Sequence, residues 1–205
     1  MRVSRWRGLL VSMLLPMCGV LHAVAQAADA CPGVDAGVLA KANAGDAAAQ
    51  IQAGESCAAA HDLQQAAAWY TKAASQESGG GSGDGSGKDS GKDSIRAEIH
   101  LAVLYRDGGK GFPRDMTQAA AWYRKAADQG DPGAQGTLGM LYAVGQGVER
   151  SDVEAYYWLD LAAAVEGPNQ AQYAANRQVV GTRITADELA DVEDRVAKWK
   201  AAHPR

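Results

Sequence analysis

The sequence predicts an all-α solenoid of stacked helical hairpins, and three observations carry that prediction. A block of alanines around one tryptophan recurs along the chain, apolar residues fall at helical spacing, and glycine-rich breaks separate the runs. Composition agrees. Of 205 residues 47% are hydrophobic, yet phenylalanine occurs once and aromatics make up 6%. Alanine is the largest contributor to the apolar fraction; it is the best helix former and lets helices approach closely. Collagen, a disulfide-dense miniprotein and a multi-span membrane protein do not fit these proportions.

Residues 1–27 read as an export signal. Arg2, Arg5 and Arg7 precede an apolar run from Gly8 to Val24, which closes on Ala25-Gln26-Ala27, a small-x-small cleavage site. The run is short and holds the helix breaker Pro16, which speaks against a membrane anchor. The expected mature chain is periplasmic and starts near Ala28, with residues 28–45 as an N-terminal cap segment. Losing three arginines takes Lys plus Arg from 20 to 17 against 24 acids, so net charge moves from −4 to −7. No basic cluster survives to neutralise a phosphate backbone, so neither nucleic acid nor membrane insertion is expected after cleavage. Cys31 and Cys57 remain as an even pair. In an oxidising compartment they read as one disulfide, the alternative being two buried thiols.

The repeats follow. Ala119-Ala-Ala-Trp-Tyr-Arg-Lys-Ala-Ala127 aligns with Ala155-Tyr-Tyr-Trp-Leu-Asp-Leu-Ala-Ala163, so that Trp122 matches Trp158 and Gly111 matches Gly147 at a spacing of 36. Ala66 to Ala74 repeats the first block almost letter for letter around Trp69, 53 residues upstream of Trp122. The surplus of 17 is the tract Ser78–Ser94, which lacks any apolar residue and reads as a flexible surface loop over 77–94. This gives repeat 1 at 46–76, repeat 2 at 95–131, repeat 3 at 132–167, and a half-repeat with a capping helix at 168–205.

Within a unit, Ala134, Leu138, Gly139 and Tyr142 form the stripe of a first helix, and Gly145-Gln-Gly147 breaks it. Asp115 and Ser151 stand where second helices need N-caps. Thr185-Ala-Asp-Glu188 is a capping box opening a last helix, with Leu189, Val192, Val196 and Trp199 on one face. Its other face carries Asp187, Asp191, Asp194, Arg195 and Lys198 and reads as solvated. Trp69, Trp122 and Trp158 recur with the fold, so they are expected in the core with the first-helix anchors Tyr105 and Tyr142 and with Gly139.

These motifs resemble the Sel1-like repeat family, relatives of tetratricopeptide repeats. The pattern is Ala-x-x-x-Leu-Gly-x-x-Tyr-x-x-Gly-x-Gly-Val followed by Ala-x-x-Trp-x-x-x-Ala-Ala, best kept in repeat 3. Repeat 1 departs from it, with Cys57 in place of Tyr and no glycine-rich turn before Asp62. The resemblance implies a right-handed α/α superhelix whose first helices line a concave face. By that resemblance the face holds Arg96, Ile99, Val103, Arg106 and Asp107 in repeat 2, then Met140, Tyr173 and Arg177.

Motifs for chemistry are missing. Gly87-Lys88 and Gly91-Lys92 lack both the upstream glycine and the following Ser or Thr of a phosphate loop. The chain has no nucleophile elbow, no Ser-x-x-Lys, no His-Glu-x-x-His and no Cys-x-x-Cys. Paired carboxylates need no motif, so that class of hydrolase stays open at this stage. The resemblance implies a non-catalytic module without catalytic residues, metal or cofactor, monomeric when free. Its protein partner would be a toxin or effector (an immunity role), a signalling receptor or an envelope complex. Two alternatives stand beside it: a penicillin-binding or β-lactamase-like enzyme of the cysteine-rich Sel1 branch, and an envelope scaffold, lipid-anchored at Cys18.

Overall fold

The computed structural model describes residues 31–76 and 90–204, with the side chain of Ser90 excepted. The expected signal over 1–27 and residues 77–89 of the expected loop lie outside the described residues, as does Arg205. The described chain forms helices α1 (Ala36–Asn43), α2 (Ala47–Ala59), α3 (Leu63–Ala74), α4 (Ser90–Asp107), α5 (Met116–Asp128), α6 (Pro132–Val144), α7 (Asp152–Ala163), α8 (Gln170–Gly181) and α9 (Ala186–Ala202). No strand occurs among the described residues.

Short polar caps set the boundaries. Asp46 accepts the Ala49 N–H and Asp131 the Ala134 N–H, both at 2.7 Å, while Asp115 and Ser151 cap α5 and α7 as their positions predict. Thr185 and Glu188 close both halves of the capping box on α9. Helix α6 stops at Gly145 with φ of +74°, a left-handed conformation that glycine reaches without a Cβ penalty. Helix α2 stops differently: His61 takes φ of +62° in the place of the missing glycine turn.

Pairs α2/α3, α4/α5 and α6/α7 are the three hairpins, and each second helix packs on the next first helix. First helices also meet on one side, α2 with α4 and α6 with α8. The result is the expected all-α repeat superhelix. Three sets of buried residues fill it, the two larger around Trp69 and Trp158, each tryptophan 1% exposed, and a smaller one of Ala155, Leu159 and Val180. Truncating either ring to alanine costs about 3–5 kcal/mol. Gly139 permits the tight joint in repeat 3: a Cβ there would sit 2.8 Å from Leu159 Cγ and 3.1 Å from the Ala155 carbonyl oxygen.

Several expectations need correcting. Trp122 is only partly buried, and its neighbour Tyr123 takes the deep position at 3% exposure. Trp122 instead bridges the two larger buried sets, with Lys125 Nζ 3.7 Å from its ring centroid. Tyr105 and Tyr142 are also half-buried: their rings pack inward while the Tyr142 hydroxyl accepts from Arg124 at 3.5 Å near the surface. The tract expected to be loop to Ser94 turns helical at Ser90. Ser94 is buried, small enough to tuck under the end of α3, where its hydroxyl donates to the Ala74 carbonyl at 3.2 Å. The capping helix α9 packs on α7. Val192 and Val196 fill the surface beside Tyr157 and Leu161, while Arg195 meets Glu154 at 2.7 Å and Lys200 meets Asp160 at 3.1 Å.

In repeat 1, Cys31 and Cys57 are joined by a disulfide with Cα atoms 5.1 Å apart. Cys57 holds the position of Tyr105 and Tyr142, so a covalent tie to the preceding segment stands where an aromatic anchor stands in the other units.

Candidate interaction face

The first helices bring together two unlike surfaces. On α2 and α4 the surface is charged. Arg96 pairs with Asp93 at 3.2 Å and reaches Glu55 at 3.8 Å, while His100 Nε2 lies 3.3 Å from the same Glu55 carboxylate. The His100 ring stacks on Tyr70 with centroids 4.7 Å apart. Burial lowers the His100 pKa, outweighing the pull of Glu55 in the other direction. Burial, and then Glu55, push the Tyr70 hydroxyl up to about 12.

On α6 and α8 the surface is apolar. Met140, Ala143 and Val144 from α6 and Asn176, Val179 and Val180 from α8 line an open cleft of about 460 Å³, with Arg150 and Arg183 at its rim. Val144 and Val179 are each 56% exposed and Met140 38%, unusual for side chains of this size in an alanine-built protein. Asn176 Nδ2 donates to Met140 Sδ at 3.1 Å and fixes that end. Both rim arginines share one carboxylate, Asp152, at 3.3 Å and 3.2 Å, so the cleft faces the medium with cationic edges.

The eight residues expected on this face divide. Arg96 and Met140 stand open. Ile99 and Val103 are half-buried against the second core. Arg106 is held by Asp107 at 2.7 Å and by the Tyr123 hydroxyl at 3.2 Å, and the Arg106 guanidinium holds the Asp107 carboxyl below its ordinary range. Tyr173 and Arg177 are half-buried and make contacts within the fold. The Tyr173 ring fills the space over Gly136, where a Cβ would fall 2.2 Å from it, and Arg177 is ion-paired to Asp160 of α7. Val144, Val179, Arg150 and Arg183 escaped the sequence reading. The signal for them is weak: Val144 precedes the turn glycine and Val179-Val180 breaks an otherwise polar α8 stripe.

Among the described residues, no three His, Cys, Asp or Glu side chains cluster as metal ligands, and no helix is long and apolar enough to cross a membrane.

Three segments, 48–78, 95–131 and 132–164, match the family model of the Sel1 repeat. A Sel1 repeat protein from Oxalobacter formigenes has a crystal structure similar to this one, with a TM-score of 0.51, 25% identity, and coverage of 69% of this chain and 94% of that chain. The c5321 protein of uropathogenic Escherichia coli, a protective antigen displaying an SLR fold, gives a TM-score of 0.46 at 27% identity over 78% of this chain and 39% of that chain. Chitin synthase regulatory factor 3 of Schizosaccharomyces pombe is 29% identical over 118 residues. That stretch is 57% of this chain and only 11% of the fungal protein.

Proposed function

The chain is a Sel1-like repeat protein, of a kind that commonly serves as a non-catalytic scaffold for protein partners, and we propose that it acts in the periplasm by holding one protein on the face of its first helices. The observation that carries this reading is the exposed apolar cleft between α6 and α8, where Met140, Val144 and Val179 form a ready hydrophobic anchor point. The charged surface of Glu55, Arg96 and His100 supplies a polar margin for orientation. The basic, apolar and small-residue order of residues 1–27 supports export, and the Cys31–Cys57 disulfide suits an oxidising compartment. A small acidic exported module with such a face fits a dedicated inhibitor, of the immunity type, or a regulator of one partner.

Affinity capture from periplasmic extract tests it, comparing the wild type with a Met140→Glu/Val179→Glu variant of unchanged helical content. The wild type is expected to retain one protein that the variant loses. Equal recovery by both, or nothing above background, overturns the reading.

A further inference from the structure

Each first helix carries one buried polar residue at the same place: Gln50 in repeat 1, Glu98 in repeat 2 and Gln135 in repeat 3, exposed by 5%, 5% and 0%. The two glutamines use their amides alike. Gln50 Nε2 donates to the Ala42 carbonyl at 3.0 Å and Gln135 Nε2 to the Ala127 carbonyl at 3.1 Å, each at the end of the preceding helix. A carboxylate cannot donate, and in repeat 2 the equivalent carbonyl, Ala74, is served by Ser94 one turn earlier on α4. Glu98 meets Gln129 instead, whose Nε2 donates to Glu98 Oε2 at 2.6 Å from the end of α5.

In all three repeats this position is buried, and in repeats 1 and 3 it holds an uncharged amide. A protonated carboxyl shares that neutrality and an ionised one does not. The charges that act on Glu98 are Lys125 and Asp128 of α5, of opposite sign. Neither Lys125 nor the Gln129 hydrogen bond offsets the burial, which raises the carboxyl from its usual 4.5 to about 7.

We propose that Glu98 is a one-proton latch at the middle joint of the solenoid, holding α4 more firmly when it is protonated and loosening that joint as the medium passes from mildly acidic to mildly alkaline. The sign follows from linkage. Between the ordinary carboxylate range and neutrality the native chain holds a proton that the unfolded chain has released, so stability falls as pH rises through that window and levels off above it. Helix α4 also carries Arg96, Ile99 and Val103, so the proton acts beside the interaction face without belonging to it.

Thermal unfolding of the full chain and of Glu98→Gln at pH 5 and pH 8 tests the latch, because the variant places the amide of repeats 1 and 3 in repeat 2. The variant is expected to melt several degrees above the wild type at pH 8, with most of that gap gone at pH 5. An equal gap at both values overturns the proposal. Should Glu98→Gln fail to fold, the wild type decides alone. A carbon-13 titration of its assigned Glu98 carboxyl is expected to centre near neutrality, and a midpoint in the ordinary carboxylate range overturns the latch.

Discussion

Gln76 donates its side-chain amide to Gln50 Oε1 at 2.8 Å, tying the end of the second helix of repeat 1 to its first. Gln129 makes the same reach to Glu98 in repeat 2. Both glutamines stand seven residues after their tryptophans, and in repeat 3 that position is Val165, which leaves the buried Gln135 Oε1 without a hydrogen-bond partner. Val165→Gln is expected to supply the missing donor and raise stability by about 1 kcal/mol, read from urea unfolding. A variant no more stable than the wild type would show that the orphaned oxygen carries no cost.

Gly147 and Gly111 occupy matching turns with φ of +72° and +77°, yet their surroundings differ. A Cβ on Gly147 would lie 1.9 Å from the Met116 carbonyl oxygen, whereas nothing comes within 4 Å of one on Gly111. Gly111→Ala therefore carries only the left-handed backbone cost, about 1 kcal/mol. Gly147→Ala must also displace the start of α5, for a total of roughly 3 kcal/mol or more. Chemical denaturation of both variants checks the order, and equal losses would contradict the close approach.

The disulfide closes a sequence separation of 26. Reduction is expected to lower stability by about 3 kcal/mol through the freedom returned to the unfolded chain. Hydrogen exchange on the reduced protein should show α1 and α2 opening first, since Cys57 replaces the aromatic anchor there.

His100 works in the opposite sense to Glu98. Its imidazole is held below the ordinary 6.5 by burial, so the unfolded chain takes up a proton that the native chain resists. Stability is lost as pH falls through 6.5 toward the folded value. Proton NMR is expected to place the His100 midpoint below the ordinary imidazole value of 6.5. His100→Phe keeps a ring against Tyr70 and should flatten this part of the acid limb, and an unchanged acid limb would assign the loss to other groups.

Much of the architecture is legible before any coordinates are seen, because it rests on local or periodic signals. Asp115, Ser151 and the Thr185/Glu188 box act within one turn, and the tryptophans recur with the unit. What escapes depends on packing between elements distant in sequence. Trp122 and Tyr123 are adjacent, about 100° apart around the helix, and only the neighbouring helices decide which is buried. The docking of α9 on α7 depends on pairs such as Arg195 with Glu154, 41 residues apart, which no period announces. Arg177 reads as a surface cation until Asp160 is found beside it. The apolar cleft is hidden for the same reason: Val144 and Val179 lie on different helices, and their joint exposure is a property of the fold.

Site-specific photo-crosslinking in cells tests the central claim, that the face of the first helices holds a protein, most directly. The probe is placed at Val179 in the cleft and, as a control, at the exposed Ala121 on the second helix of repeat 2. The account predicts one discrete crosslinked protein from position 179 and none from 121. Identical patterns from both positions, or no adduct from 179 while the protein is folded and exported, would contradict it.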